Sequence, residues 1–520
     1  MTLPTYHPQP KIAAYPIGTL LHSKAIHLPM RLILILLLFY SALRESTSAI
    51  FGRFRESKSI VLLILVTLVV PFAQAQTEPN NTLGSETTPA TEGIRLSLDD
   101  AIIYALQNNF EARRAGLDLS AAQQQRWETI AGGLPQIDAS AGYNYNFEQQ
   151  VSVIPGEIAG GAPGTFVPVV FGTKQTATAS ATLRQLLFDG SYLVALKASN
   201  TFLQFSENAK LKTELQVTDA TIDAYGNALL AESSIAILER NLNNLNETLR
   251  ETRQIYDAGL GEQEDVEQLE ITQLDLQNQL NRVRRLRGVA YDLLRVTLGM
   301  QGDTDLLLTS TLQQLATEYS GLGLQTQNLS LENNIDYQIS TTNIDIQSLE
   351  VDLERSKALP SLSAFVNYGV NAFDDEFVFF DNNTRWFDFG IVGVQLNVPL
   401  FSSGARSART KRARIELEQA ELDRDNLVEQ LDLQLETTRN DYEFALDNYA
   451  TALKNLKLAE RIENKNDIKF KEGLATSFEL RQAQTQLYAA QQNVLDAMLL
   501  IINSYSDLNT LLTNVPTTKN

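Results

Sequence analysis

The chain has 520 residues, with 42 Lys+Arg against 62 Asp+Glu, no Cys and three His, for a formal net charge of −20 at pH 7. All three His (His7, His22, His27) lie at the start, so the body of the chain offers no imidazole base, thiol nucleophile, Ser-His triad or ordinary zinc or haem ligand. The acidic balance argues against nucleic-acid binding, which needs basic side chains to displace counterions.

Two apolar runs open the chain, Leu32 to Tyr40 and Ile60 to Phe72. Arg53, Arg55 and Lys58 precede the second, and Ala73-Gln74-Ala75 follows it. A basic region, a short apolar core and an A-x-A site form a secretory signal peptide, cleaved after Ala75. As a transmembrane helix the run is too short to cross ~30 Å of hydrocarbon comfortably. The segment 1–50 stands upstream of where such a leader should begin and reads as an over-extended start. Residues 1–75 are thus leader and signal peptide. Residues 76–94, rich in Thr, Pro and Gly, form a disordered lead-in.

The rest contains itself twice. Asn108-Asn109 precedes Leu134-Pro135, and Asn333-Asn334 precedes Leu359-Pro360, with 26 residues from the second Asn to the Pro in both cases. Leu187-Phe188-Asp189-Gly190 is answered by Leu400-Phe401 and Gly404, and Gly259-Leu260 by Gly473-Leu474. The first half carries 12 extra residues between Pro135 and Phe188, an insertion a surface loop tolerates. Duplication of a structural unit follows: repeat one at 95–300, a connecting segment at 301–328, repeat two at 329–514 and a tail at 515–520.

Each repeat switches periodicity along its length. Ser97, with Asp100 three residues on, is a plausible N-cap for a helix over 98–131, ended by Pro135. Ile137, Ala139, Ala141, Tyr143, Tyr145 and Phe147 then alternate with polar residues as a strand. Ala177 to Arg184 alternate likewise, as do Leu362 to Val370 and Val392 to Val398. A long helix follows each strand pair, over 190–257 and 405–472. The expected seams are Leu238, Leu242, Leu245, Leu249, Thr252 and Tyr256 in the first, and Tyr442, Leu446, Tyr449, Leu453 and Leu456 in the second. Shorter helices return over 262–300 (Leu269, Gln273, Leu276, Leu280, Val283) and about 476–514, making coiled-coil hairpins. At 1.5 Å per residue each long helix spans ~100 Å, and two short helices stacked end to end can line one of them.

Strands of about ten residues with one apolar face suit an outer-membrane barrel; a small soluble sandwich is the other reading. The opposite faces are rich in Ser, Thr, Asn and Gln, with little apolar surface for a second sheet. Aromatics near strand ends (Tyr143, Tyr145, Phe147, Tyr368, Phe373, Trp386, Phe387, Phe389) suit an interfacial girdle, though they also favour ordinary strands. Four strands cannot close a barrel, and an open edge in lipid leaves backbone groups unsatisfied. Strands from other copies must complete it: two copies give eight strands and a filled lumen, three give twelve and a pore.

In these residues the chain resembles the TolC-type outer-membrane efflux proteins. The signals are Leu96-Ser97-Leu98-Asp99-Asp100-Ala101 with Asn108-Asn109, the paired Leu-Pro junctions at Pro135 and Pro360, the Pro399-Leu400-Phe401 junction with Gly404, its counterpart at Phe188, and the two Gly-Leu tips. Each is weak alone; in order and duplicated they are specific. The resemblance covers about residues 95–514. It implies a mainly α fold with a membrane β part. Duplicated long helical hairpins form an α-barrel, and four strands per protomer contribute to a shared 12-stranded β-barrel in a homotrimer. It implies an exit duct of a tripartite efflux or type I secretion system in the outer membrane of a Gram-negative bacterium. The duct would contact outer-membrane lipid, with its helical tunnel in the periplasm. An inner-membrane transporter of RND, ABC or MFS type would supply energy, and a periplasmic adaptor would dock at Gly259, Leu260, Gly473 and Leu474. Neither catalysis nor a cofactor or metal is implied, nor any nucleic-acid partner.

Six residues past each tip Gly the family often has an acid that narrows the pore. Here these are Asp265 and Glu479, and a threefold ring of either would favour cations. Alternatively both simply cap or solvate helix N-termini, where acids are favoured anyway. The chain has Ala475 where some members carry a basic residue, and Gln482 in place of an acid, so a salt-bridge lock does not carry over. Loops 148–173 and 371–386 would face outside the cell as solvated loops with interface anchors, and 301–328 would sit against the outside of the tunnel. A periplasmic coiled-coil adaptor is the competing reading, but adaptors have one hairpin flanked by β domains where this chain has two hairpins. A carboxylate enzyme would need an acidic pair in an apolar pocket; the acids here are spread along heptad surfaces.

Overall fold

A computed structural model describes residues 94–515 apart from 303, 304 and 382. The signal peptide, its cleavage site, the possible over-extension and most of the lead-in and tail lie outside the described residues. The first repeat runs β1 (Ile94–Leu96), α1 (Leu98–Asn108), α2 (Phe110–Ala131), β2 (Gln136–Tyr145), β3 (Val151–Pro155), β4 (Phe166–Val170), β5 (Gln175–Asp189), α3 (Gly190–Asp257) and α4 (Gln263–Leu298). The connector holds β6 (Leu306–Leu308) and α5 (Leu312–Ser320). The second repeat runs α6 (Ile335–Ser356), β7 (Ser361–Asp374), β8 (Trp386–Asn397), α7 (Ala405–Lys471) and α8 (Ser477–Leu512).

The N-cap at Ser97 is a full capping box: its hydroxyl accepts from Asp100 N at 3.2 Å and Asp100 Oδ2 accepts from Ser97 N at 3.2 Å. The helix expected over 98–131 is broken in two at Asn109. Its ψ of 138° leaves helical space, and its Oδ1 accepts from Glu111 N and Ala112 N to start α2. The break has a use. Asn109 Nδ2 donates to Thr297 O at 2.7 Å, holding the last turn of α4 against the start of α2. Asn334 repeats the arrangement: its Oδ1 caps α6 and its Nδ2 donates to Leu511 O at 3.3 Å in the last turn of α8. The duplicated Asn-Asn landmark is thus the joint between end-stacked short helices. Ile94, placed by composition in the lead-in, belongs to β1, which pairs in parallel with β6 of the connector.

The long helices end close to where the heptads predicted, but one seam differs. Leu238, Leu245 and Leu249 of α3 are buried, as are Leu269, Leu276 and Leu280 of α4. Tyr256 is exposed at the tip. On α7, however, Ala445, Ala452 and Ala459 are buried at heptad spacing beside Tyr442, while Leu453 is 41% exposed. Leu446, Tyr449 and Leu456 of the expected seam flank this ridge, partly buried against the core; small residues line its centre and let α8 approach closely, and Leu453 alone of the expected five lies off it. Two fully buried tyrosines tie the connector down: Tyr225 donates to Leu96 O of β1 at 2.9 Å and accepts from Ser310 N of the connector at 3.3 Å, and Tyr442 donates to Tyr319 O.

The four-stranded sheet has order β2-β5-β7-β8, all antiparallel. The extra residues of the first half form a separate hairpin, β3–β4, so 148–173 is not a plain loop. The second loop is shorter than expected because β7 continues to Asp374.

The α4 end tests the stacked joint. Gly299 has φ +73°, and a Cβ there would stand 2.2 Å from Asn108 O. Gly299→Ala adds a backbone clash to left-handed strain of roughly 1–3 kcal/mol. Asn109→Ala loses a cap worth about 1 kcal/mol. Thermal melting in detergent should show both variants destabilised, Gly299→Ala the more; wild-type melting by either contradicts the joint.

Candidate functional site

Register assigns each strand residue to a face. One face carries Ile137, Ala139, Ala141 and Tyr143 of β2, Ala177 to Leu183 in alternation on β5, Val366, Tyr368 and Val370 of β7, and Val392 and Val394 of β8. The other carries Asp138, Ser140 and Asn144, then Thr178, Ser180, Thr182 and Arg184, then Asn367 and Asn371. Polar ladders join its strands: Ser140 and Ser180 hydroxyls lie 3.1 Å apart, and Asn367 Nδ2 donates to Thr182 Oγ1 at 2.6 Å. Arg184 pairs with Asp138 at 3.2 Å. The aromatics expected as one girdle divide between faces. Tyr143, Tyr145, Tyr368 and Trp386 lie on the apolar side, but Phe373, Phe387 and Phe389 lie on the polar side. Side chains alternate strictly along a strand, so adjacent aromatics cannot share a face.

The protomer ends in two open edges. In the sheet these are β2 and β8. In the helical part, α2 packs on α3, α3 on α6 and α6 on α7; nearer the tips α4 packs on α3, α3 on α8 and α8 on α7. The row therefore ends with α2 and α4 on one side and α7 on the other. Residues 132–135 lead from α2 straight into β2, and 398–404 lead from β8 into α7. One edge is thus continuous through α4, α2 and β2, the other through β8 and α7. Both expose apolar stripes: Leu286, Val289, Leu293 and Val296 on α4, Ile415, Leu422, Leu433 and Phe444 on α7. Pro135 and Pro360 stand at the helix-to-strand turns, and Phe188 and Phe401 at the strand-to-helix turns. Phe188 follows a register shift in the β5–β7 ladder, opposite Leu362, and Phe401 is almost wholly exposed.

The hairpin tips are alike. Gly259 (φ +76°) and Gly473 (φ +71°) turn the chain in the left-handed region. Leu260 N donates to Ile255 O at 3.0 Å, and Leu474 N to Lys469 O at 2.7 Å. Leu260 and Leu474 are 82% and 78% exposed, so each tip presents one leucine to solvent. Glu479 closes a capping box on α8: its Oε2 accepts from Thr476 N at 2.9 Å and from the Thr476 hydroxyl at 3.2 Å. Those bonds, the backbone one foremost, hold its carboxyl below the ordinary glutamate range. Asp265 occupies the first turn of α4, half-buried, where the N-cap Glu262 makes no side-chain cap bond. The T-x-x-E signal for the first arrangement is present in the sequence.

Two features had no sequence forecast. A groove of about 1030 Å³ runs between α3, α4 and α8, lined by Ser234, Asn241, Leu276, Val283 and Tyr488 among others. Farther along the helices, burial pushes the Asp223 carboxyl up to about 6, with Asp219 and Asp507 adding repulsion. Burial and the Asp219 and Asp441 charges push Asp507 up as well. Among the described residues, no group of three or more His, Cys, Asp or Glu is placed to hold a metal ion. No helix among them is long and apolar enough to cross a membrane.

A raised carboxyl favours the folded state while it is protonated, and that contribution is lost as pH climbs through the folded pKa. Asp223→Asn should therefore raise the melting temperature at pH 7.5 and do so much less at pH 4.5. Equal shifts at both pH values contradict the assignment.

Comparison with known proteins places this geometry. The outer membrane efflux protein family matches residues 102–300 and 327–514, leaving out the connector. The chain is 25% identical over 346 residues to the proteases secretion protein PrtF of Dickeya chrysanthemi, covering 64% of this chain and 70% of that one. It is 25% identical over 318 residues to the outer membrane protein TolC of Vibrio cholerae, covering 57% of this chain and 64% of that one. The fold is similar to the solved structure of CusC, with TM-score 0.65, 16% identity, and coverage of 83% of this chain and 96% of that chain. It is also similar to the open state of the Neisseria gonorrhoeae MtrE outer membrane channel, with TM-score 0.62, 17% identity, and coverage of 80% and 88%.

Proposed function

The chain belongs to the outer membrane efflux protein family, and we propose that it is a trimeric outer-membrane duct, the passive exit of a tripartite efflux or type I secretion system. The carrying observation is that both unpaired edges run unbroken through sheet and helices. Unlike edges on one protomer make a head-to-tail contact, and such contacts close into a ring when the rotation fits. An edge strand in lipid must find a partner, since each unsatisfied backbone group there costs several kcal/mol. Three copies bring twelve strands, enough for a lumen. The apolar face then meets lipid and the polar face water.

In this reading Gly259, Leu260, Gly473 and Leu474 form the end on which a periplasmic adaptor docks, coupling the duct to an inner-membrane transporter of RND, ABC or MFS type. PrtF is named for secretion of proteases and another relative, BepC of Brucella suis, for efflux, so pump class and cargo follow from partners outside this chain. The second helical hairpin supports the duct over an adaptor, the competing reading. Asp265 and Glu479 are the acids of the constriction. Because the Glu479 carboxylate is committed to its cap, Asp265 carries more of the ion selectivity.

Detergent-extracted protein should have the mass of three chains and give stepwise ion conductance in planar bilayers. In a KCl gradient, Asp265→Asn should shift the reversal potential toward lower cation preference more than Glu479→Gln does. A monomer without conductance overturns the duct. A larger shift from Glu479→Gln overturns the assignment of the two acids.

A further inference from the structure

Two glycines of the β7–β8 pair are covered by phenylalanine rings. Gly369 stands opposite Phe389, and Gly393 opposite Phe365. A Cβ on Gly369 would lie 2.6 Å from Cζ of Phe389, and one on Gly393 would lie 2.7 Å from Cζ of Phe365. Each ring therefore lies down across the neighbouring strand instead of standing off the sheet, a way in which aromatic side chains cover strand glycines. Both rings are on the polar face: Phe365 shares its register row with Arg184, and Phe389 shares its row with Ser180 and Ser140. Phe373 and Phe387 continue the strip on the same face, with ring centroids 6.2 Å apart, and Ile391 lies between the two glycine rows. Phe373, Phe387 and Ile391 are 48%, 44% and 57% exposed.

An apolar strip on an otherwise polar wall calls for an occupant. The β7–β8 loop is not it, because that loop folds toward the other face. Phe379 is buried with Ala177 and Ala372, and both Phe377 and Phe379 meet the ring of Tyr143 edge-on. Those contacts belong to the apolar side. A second copy joined by its β2 would not cover the strip either, since the residues it brings to that face include Ser140, Gly142 and Asn144, none of them large. The charges on β2 and β5 of this face, Asp138 and Arg184, neutralise one another. At one end Arg385 stands over the Phe387 ring, its guanidinium carbon 4.9 Å from the centroid, and covers it; along the rest of the strip contact with ring faces dominates.

We propose that Phe365, Phe373, Phe389 and Ile391 form an apolar track on the channel side of the sheet that holds the aromatic or aliphatic body of amphipathic small molecules in transit. The inference rests on the duct reading, which makes the polar face the channel wall. The flattened rings offer apolar surface without narrowing the bore. Several shallow contacts in series give binding weak enough for release, the condition for conduction.

Rhodamine 6G in single-channel recordings of the purified full-length protein tests the track. The dye should interrupt the wild-type current briefly. A Phe365→Ser, Phe389→Ser double variant should shorten those interruptions about tenfold, with dye-free conductance no lower than wild type. Gly393→Ala meets only the Phe365 ring and so lifts that ring off the wall; it should lower dye-free conductance. Equal interruptions in wild type and the double variant, or wild-type conductance in Gly393→Ala, overturn the track while leaving the duct standing. Absence of channel current from folded wild-type protein overturns the duct and the track with it.

Discussion

A β-strand edge is a row of unanswered N–H and C=O groups, and the architecture turns on where those groups find partners. Inside the protomer β5 and β7 are paired on both sides; β2 and β8 are paired on one. Water can satisfy the outer side of an exposed edge, but hydrocarbon cannot. The helical part has the same incompleteness in another form, with apolar stripes left open on α4 and α7. Because the chain enters β2 from α2 and leaves β8 into α7, the two deficits fall on the same two sides of the molecule. A single association mode answers both.

The duplicated sequence produces this alignment. Each repeat contributes a short helix leading into the sheet (α2 and α6), two strands of the sheet, one long helix and one return helix, and the first adds α1. Short helices line a long one only if their ends meet, and the meeting points are Asn109 with Thr297 and Asn334 with Leu511. One asparagine side chain starts a helix with its oxygen and holds the end of another with its amide. Glutamine would reach farther and aspartate could not donate, so the residue type follows from the two tasks. The tips close each hairpin with the same left-handed glycine.

Much of this was legible in the sequence because it depends on period. A heptad seam from Leu238 to Tyr256 marks the long helix expected over 190–257, and α3 occupies that span. Strand alternation placed Ile137 to Tyr145 and Leu362 to Val370. What escaped depended on contacts between elements that lie far apart in the chain. The break at Asn109 serves Thr297, nearly two hundred residues away; the repeated Asn-Asn pair marked the place but not the contact. The alanine ridge on α7 was overlooked because a leucine is the stronger periodic signal, yet close helix approach selects the smaller residue. The phenylalanines on the polar face were readable in principle: Phe387, Phe389 and Ile391 alternate against Trp386 and Val392, so β8 is apolar on both sides. At the tips Glu479 fell between two readings, and its hydrogen bonds to Thr476 show the capping one in operation.

The absence of cysteine from the chain makes edge pairing directly measurable. With cysteine introduced at Ala141 on β2 and, in turn, at Gly390, Val392, Val394 and Leu396 on β8, oxidation of the outer-membrane fraction should link neighbouring copies. For the positions in register, the ladder of products should stop at three chains. Failure of every pair to link copies, or a ladder that continues past three, contradicts a closed ring built on these edges.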